Sequence, residues 1–329
     1  MIREVSPGVT QFALPTPFRV GTVNVYLLEG RPLTLVDTGP RWPAAVAALE
    51  HGLATCGHRL DDIDAVLLTH QDFDHVGAAE IIRRRSGATV FATPPLAGYL
   101  DEYPGSIAAD DAYAEAIMQR YAVPLEQIRA VREITRSFWG YAERVQVEGR
   151  LAVGAEIEAA GRKLRVLTRP GHSPTDTLFV DEEAHAAFVG DHLIGHISSN
   201  PVVRRPLEGN TEVAARASTL ATYLESLAAT AALQLRLALP GHGTVLTAPN
   251  EVIRTRIKDH EERKRLIASL IAARSRSVYE LAQILWGEVE QSQVYLAVSE
   301  VLGHTDLLVA EGFIRERADS SGIIFETVS

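Results

Sequence analysis

The stretch DAVLLTHQDFDHVG, residues 64–77, carries the clearest structural and chemical signals in this chain. Its first half is dense in apolar residues, which is typical of a strand buried on both faces. The predicted strand is followed directly by His70, Asp72, Asp74 and His75. Because α/β sheets place ligands at strand ends, and zinc accepts His nitrogens and Asp oxygens, this loop favours a metal site. The alternative is a polar helix start, with both aspartates interacting with the helix N-terminus.

Three further residues of metal-binding type lie at the ends of predicted strands. They are His172 after KLRVLTR (163–169), Asp191 at the end of AAFVGD (186–191) and His242 after LRLALPG (235–241). Each stands beside a glycine, which lets the backbone turn tightly at the end of the strand. Four strand ends with the same chemistry favour a metal centre over an isolated polar helix start.

The order of these motifs resembles the metallo-β-lactamase-fold hydrolase superfamily. The motifs are VDTG at 36–39, THQDFDH at 69–75, GHSPT at 171–175, GD at 190–191 and GHG at 241–243. The match extends over about residues 20–245. The resemblance implies an α/β fold, an αββα sandwich with a dinuclear metal site on one edge of its two sheets.

The same resemblance implies a role for each motif residue. One metal would be bound by His70, Asp72 and His172, the second by Asp74, His75 and His242, with Asp191 bridging the two. Asp37 of VDTG would not bind a metal itself but would support the loop that carries the metal ligands. The expected metal is Zn²⁺, one or two ions per chain, with Mn²⁺ or Fe²⁺ as alternatives.

Asp72 departs from the pattern of the superfamily, which usually has histidine at this position. With Asp72, three carboxylates and a bridging hydroxide balance the charge of two divalent cations, whereas histidine would leave one net positive charge. The cluster should therefore acidify its water less and tolerate harder ions such as Mn²⁺ or Fe²⁺ better.

The whole chain divides into two predicted domains. Residues 1–248 form the hydrolase domain, with a helical insertion at about 100–140 and a strand at 144–148. Residues 249–329 form a linker helix and a winged-helix-like module, with helices at 277–286, 291–302 and 303–311 and a β-wing at 312–328 that turns at Ser320–Gly322.

Composition excludes several classes of protein. The chain has 329 residues, 46% hydrophobic and 22% charged, so it is not disordered. Its single cysteine, Cys56, excludes an intramolecular disulfide framework and a multi-cysteine metal site. There is no apolar run long enough for a signal peptide or a membrane span, so we expect a cytoplasmic protein without a membrane partner.

The C-terminal module raises the question of nucleic-acid binding. Between Ser277 and Ile314 there is no Lys or Arg, while six acidic residues fall in the same window. Because phosphate binding needs clustered basic residues, we expect no nucleic-acid partner. Apolar residues between 294 and 309 favour packing instead, either inside the module or against another subunit. We expect a lid or a homodimer formed through this module.

The predicted function is metal-dependent hydrolysis of an ester-like bond, a thioester or a lactone, in a small molecule. A metal-bound hydroxide would attack the carbonyl, and Asp74 would both bind metal and orient the hydroxide. One alternative is a nuclease or phosphodiesterase, for which Arg83–Arg85 are the best local candidates for a basic groove. Another is a binding protein in which Asp72 marks a degenerate site. His196 and Asn200 are candidate substrate contacts, although structural roles are the alternative.

Overall fold

A computed structural model describes residues 1–320 and 322–328 of the chain. It separates into two units, each assembled from three segments. The first unit contains Met1–Ser106, Trp139–Ser199 and Thr230–Val252, and the second Ile107–Phe138, Asn200–Ala229 and Ile253–Ser329. The chain passes from the first unit to the second for the last time between Val252 and Ile253, close to the predicted boundary at 248/249. The helical insertion at 107–138 belongs to the same unit as the C-terminal residues.

Two sheets form the framework of the first unit. The first sheet has the strand order β1 to β7: β1 Ile2–Ser6, β2 Val9–Leu14, β3 Val23–Leu28, β4 Thr34–Val36, β5 Ala65–Leu67, β6 Thr89–Ala92 and β7 Gly149–Arg150. The second has the order β12-β11-β10-β9-β8: β8 Glu156–Ala159, β9 Arg162–Thr168, β10 Thr177–Asp181, β11 Ala186–Gly190 and β12 Leu237–Pro240.

One apolar core joins the two sheets. It contains Tyr26 and Leu67 from the first sheet and Phe179 and Phe188 from the second, all of them buried. The rings of Tyr26 and Phe188 meet edge to face, with their centroids 5.4 Å apart. Since apolar area removed from water contributes roughly 25 cal/mol per Å², this shared core holds the sheets together. The mixed α/β sandwich predicted from the sequence is confirmed.

Strand direction determines where the motif residues meet. Strands β4, β5 and β6 are parallel. In the second sheet β9 and β11 both pair antiparallel with β10, and β12 is parallel to β11, so these three strands also point the same way. Their carboxyl ends therefore share one edge of each sheet.

The helices complete both units. They are α1 Pro43–Thr55, α2 Phe73–Val76, α3 Ala79–Ser86, α4 Pro94–Asp101, α5 Gly105–Arg120, α6 Leu125–Phe138, α7 Thr219–Ala231, α8 Pro249–Ala273, α9 Val278–Trp286 and α10 Val294–Ala310. Among the described residues, no helix combines the length and the apolar composition that crossing a bilayer requires.

The predicted strand at 144–148 is wrong. Val145 and Val147 alternate and are buried, as the sequence pattern indicates. However, the backbone N–H of Val145 donates to Leu100 O and that of Gln146 donates to the Glu80 carboxylate. Because these donors are satisfied outside a sheet, no ladder forms until β7.

The second unit has its own apolar core and a small sheet. Strands β13 (Arg276–Ser277), β14 (Ile314–Asp319) and β15 (Gly322–Thr327) have the order β13-β15-β14, and the predicted turn at Ser320–Gly322 includes Ser321, which lies outside the described residues. Val294, Val298 and Val301 are buried in the core of this unit, which agrees with the packing role expected for this apolar stretch.

The two helices predicted at 291–302 and 303–311 are one continuous helix, α10. Gly303, at the predicted boundary between them, lies inside this helix. A Cβ at position 303 would lie 2.8 Å from Leu220 Cβ. The glycine is therefore explained by close side-chain packing and not by a turn.

Candidate metal centre

The loop after β5 turns at once into the four-residue helix α2, with Asp72 as its N-cap residue. The Asp72 side chain makes no hydrogen bond to the helix backbone. Its Oδ2 atom lies 3.3 Å from His172 Nε2 and 3.7 Å from His70 Nε2. The carboxylate is thus turned away from a capping role and towards the imidazoles, which weakens the helix-start interpretation of this loop.

Seven motif side chains meet at the carboxyl ends of the strands, and we refer to them together as the His/Asp cage. They are His70, Asp72, Asp74, His75, His172, Asp191 and His242. Two trios within the cage each bring three ligand-type atoms within 4.8 Å of one another: His70, His172 and Asp191, and Asp74, His75 and His242.

Asp191 belongs to the first trio and also faces two histidines of the second. Its Oδ1 atom is 3.4 Å from His75 Nε2, and its Oδ2 atom is 3.4 Å from His242 Nε2 and 3.9 Å from His172 Nε2. Asp74 completes the second trio, with its Oδ2 atom 3.3 Å from His242 Nε2. Asp74 on α2 and Asp191 at the end of β11 therefore both face His242.

The cage fits divalent cations by its spacing and by its unused atoms. Two ligand atoms about 2.0–2.1 Å from a tetrahedral ion lie about 3.4 Å apart, close to most of these separations. His70 Nε2, His75 Nε2 and Asp191 Oδ1 are buried and have no hydrogen-bond partner. Since buried polar atoms are nearly always paired, these three atoms indicate a site built for a cation.

The opposite ring nitrogens fix the orientation of the histidines. Asp37, which has φ +60°, receives hydrogen bonds through Oδ2 from His75 Nδ1 at 2.8 Å and Thr69 Oγ1 at 2.8 Å. Thr69 Oγ1 also lies 3.0 Å from His70 Nδ1. The His242 Nδ1 atom contacts the backbone oxygen of Thr22 at 2.8 Å. In each case the Nε2 atom is left to face the cage, as in histidines that bind metals.

Opposing charges within the cage shift the pKa values of its members. Burial of His70 lowers its pKa to about 3. Burial also opposes protonation of His242, but Asp191 and Asp74 outweigh it and raise that pKa to about 10. Burial disfavours the Asp191 carboxylate, yet His242 and His75 hold its pKa well below the usual value. Cations therefore stabilise this cage, and metal ions binding there would displace protons.

A second network holds the loop that carries His172. Asp176 Oδ2 accepts from the backbone N–H of Ser173 at 2.8 Å, and burial raises the pKa of Asp176 to about 7. Ser173 Oγ donates to Gln71 Oε1 at 2.6 Å and thereby joins this loop to the one that carries His70. Sequence reasoning assigned no role to these residues, although Ser and Asp three positions apart are a signal for a side-chain-closed turn.

The structure places the two candidate substrate contacts differently. His196 is exposed, and its ring lies against Gly243, the residue after His242. Asn200 belongs to the second unit, where its Nδ2 atom donates to Leu296 O at 2.9 Å. The substrate role of both residues stays a prediction, and the Asn200 contact gives that residue a structural role.

Gly241 lets the backbone approach the cage, and its replacement by alanine should damage metal binding. A Cβ there would overlap Asp191 Oδ1 and lie 2.5 Å from His75 Cε1. Because both side chains are buried and held, we expect metal affinity to fall about 10–100-fold, as after loss of supporting contacts. Titration with Zn²⁺ measures the change. Gly98→Ala in α4, where no atom lies within 4 Å of the new Cβ, is the matched control. Equal zinc affinity in both variants would contradict this account of Gly241.

The comparison with known proteins identifies the family. A family model described as the metallo-β-lactamase superfamily matches residues 18–242, more than half of the chain. The chain therefore belongs to the metallo-β-lactamase superfamily. This fold implies divalent metal binding, and the grouped His and Asp side chains described above are able to provide it.

Individual relatives match between 77% and 99% of the chain. It is 27% identical over 322 residues to the probable metallo-hydrolase YqjP of Bacillus subtilis, covering 97% of this chain and 98% of that protein. It is 25% identical to the atrochrysone carboxyl ACP thioesterase of Aspergillus fumigatus, covering 77% of this chain and 61% of that protein. The crystal structure of a metallo-β-lactamase family protein from Thermus thermophilus matches with a TM-score of 0.81 at 26% identity, covering 99% of this chain and 100% of that one.

Proposed function

We propose that this protein is a metal-dependent hydrolase whose His/Asp cage binds one or two divalent ions. The single observation that supports this most strongly is that Asp191 belongs to one trio of ligand-type atoms and also faces His75 and His242 of the other, with its Oδ1 buried and unpaired. Imidazole and carboxylate donors together suit Zn²⁺, and the carboxylate of Asp72 adds tolerance for Mn²⁺ or Fe²⁺.

The proposed reaction is cleavage of an ester-like carbonyl bond. When bound, the metals supply Lewis acidity that activates water and polarises the carbonyl oxygen. Asp74 would hold a metal beside His75 and His242 and orient the attacking water through its carboxylate. Asp37 and Thr69 would keep the imidazoles fixed during the reaction, so that little reorganisation is needed.

A small-molecule thioester or lactone is the proposed substrate class. The A. fumigatus relative, named as a thioesterase, supports it. The arginines that a phosphodiesterase would need are already paired: Arg83 with Glu80, Arg84 with Glu80, and Arg85 with Asp61. Because carboxylates pair with these guanidinium groups, they do not offer the free positive charge that phosphate binding requires.

Metal removal should abolish hydrolysis reversibly. Chelation of the purified protein is expected to stop turnover of an aromatic thioester and of a lactone, and Zn²⁺ or Mn²⁺ should restore it, because the metals supply the Lewis acid. Elemental analysis should find at least one transition-metal ion per chain before chelation. Protein that holds no metal and takes up none of Zn²⁺, Mn²⁺ or Fe²⁺ would disprove the proposal.

Replacing Asp72 by histidine should change metal preference and the pH profile. Asp72→His makes the cage one charge more positive, which lowers the pKa of the attacking water, so the acid limb of the pH–rate profile should move to lower pH. The added imidazole should raise the preference for zinc over manganese. Asp72→Asn is the control, because it changes the charge equally without adding a nitrogen ligand. If neither property changes in Asp72→His, Asp72 does not contact the metals.

A further inference from the structure

A second group of buried metal-ligand side chains lies in the second unit, away from the motif residues. It consists of His260 on α8 and Glu300 and His304 on α10, and we refer to it as the α8–α10 cluster. Glu300 and His304 are four residues apart, so their side chains lie on the same face of the helix. All three residues are 3% exposed or less. No residue of this cluster belongs to the His/Asp cage.

The separations within the α8–α10 cluster match those of metal ligands. His260 Nδ1 lies 3.4 Å from His304 Nε2 and 3.7 Å from Glu300 Oε1. Two atoms about 2.0–2.1 Å from a tetrahedral zinc ion lie about 3.4 Å apart. A direct hydrogen bond between the two imidazoles would be long at this distance, since typical donor–acceptor separations are about 2.7–3.2 Å.

Neighbouring contacts orient these donors. His304 Nδ1 donates to the backbone oxygen of Glu300 at 2.7 Å, which leaves the lone pair of His304 Nε2 directed at the cluster. The ring of Tyr223 packs against His260 edge to face, with the centroids 5.9 Å apart. Burial lowers the pKa of His260 to about 4 and also lowers that of His304, so both imidazoles are neutral near pH 7.

Glu300 supplies the negative charge and an unused oxygen atom. Its Oε1 atom accepts from Arg263 Nη1, while its Oε2 atom is buried without a hydrogen-bond partner. A carboxylate oxygen has two lone pairs, so Arg263 and a metal ion can share the same carboxylate. An unpaired oxygen on a carboxylate that is 3% exposed is costly unless a cation or another donor reaches it.

We propose that His260 Nδ1, Glu300 and His304 Nε2 bind a structural divalent cation, with Zn²⁺ as the best match, separate from the His/Asp cage. Two imidazoles and one carboxylate form a donor set that zinc accepts, and the second Glu300 oxygen is available as a fourth donor. The ion joins α8 to α10 inside the second unit. Because the site is buried, binding is coupled to folding of this unit and not to turnover.

Zinc-edge anomalous diffraction from crystals of the full chain grown with ZnCl₂ tests this directly. We expect an anomalous peak about 2.0–2.1 Å from both His260 Nδ1 and His304 Nε2. This measurement uses the unaltered protein and therefore does not depend on the folding of a variant. Absence of a peak between these atoms would overturn the proposal, whatever the occupancy of the cage.

Zinc stoichiometry in solution provides a second test. His260→Gln and His304→Gln should each lose the same one equivalent of tightly bound zinc, and the double variant should lose no more. His51→Gln, which alters an exposed histidine on α1, should keep the wild-type number. If His304→Gln binds as many zinc ions per chain as the unaltered protein, the α8–α10 cluster is a hydrogen-bonded pair of histidines and the proposal is wrong.

Discussion

The Asp191→Asn variant should lose more than about 100-fold in metal affinity, together with the proposed hydrolase activity. Loss of an outer supporting group typically costs about 10–100-fold. Asp191 should cost more, because it is a member of one trio and faces histidines of both. Asparagine keeps the shape but removes the negative charge that lies within 4 Å of His75, His172 and His242. Metal affinity by competition with a fluorescent chelator, together with kcat/KM on a thioester, measures both effects.

Asp181→Asn is the matched control for this substitution. Asp181 ends β10, which runs antiparallel to β11, so it lies at the opposite edge of the same sheet. It is also buried, and it pairs with Arg162 at 2.8 Å. We expect the control to lose stability but to keep its metal affinity. If Asp191→Asn bound metal as well as the control, Asp191 could not be a ligand.

Replacing Asp37 by asparagine should have the second largest effect. Asp37 is 2% exposed and receives three hydrogen bonds, from Thr69 N, Thr69 Oγ1 and His75 Nδ1. Asparagine replaces one accepting oxygen of Asp37 by an NH₂ group, which cannot accept from these donors. Each buried group left unpaired costs about 1–3 kcal/mol. With His75 no longer held, metal affinity should fall about 10–100-fold. Urea unfolding and zinc titration measure the two losses.

Asp101→Asn is the control for Asp37→Asn, because it removes a carboxylate at another place in the first unit. Asp101 pairs with Arg150 at 2.8 Å near the surface, where a salt bridge contributes about 0–1 kcal/mol. This variant should therefore unfold and bind zinc almost like the unaltered protein. A loss of zinc affinity in Asp101→Asn as large as in Asp37→Asn would show that the effect is not specific to the hydrogen bonds of Asp37.

The sequence predicted those parts of the molecule that depend on short-range patterns. Strand β11, Ala186–Gly190, lies within the predicted stretch at 186–191, because its run of apolar residues ends at the charged Asp191. The grouping of His70, Asp191 and His242 could be expected because each follows a strand that ends at the ligand-binding edge of its sheet. The apolar pattern and the expected strand directions were therefore sufficient to predict that these side chains lie close together.

The supporting contacts depend on distant parts of the chain and could not be predicted in the same way. Thr69 appears in the motif only as the residue before His70, yet it links Asp37 to that imidazole. The α8–α10 cluster combines residues 40 positions apart whose helices had to be packed before the pairing was visible. The strand predicted at 144–148 failed for a similar reason, because Glu80 and Leu100 take its hydrogen bonds.

Turnover of matched substrates by the metal-loaded protein tests the central claim most directly. A thioester, a lactone and a chromogenic phosphodiester would be compared by kcat/KM, with the metal-free protein and Asp191→Asn alongside. The released thiol, the acid formed on ring opening and the released phenolate report the three reactions. We expect metal-dependent turnover of the thioester or the lactone that disappears in both controls. Metal binding without turnover of any of the three, or turnover of the phosphodiester alone, would contradict a hydrolase of ester-like bonds.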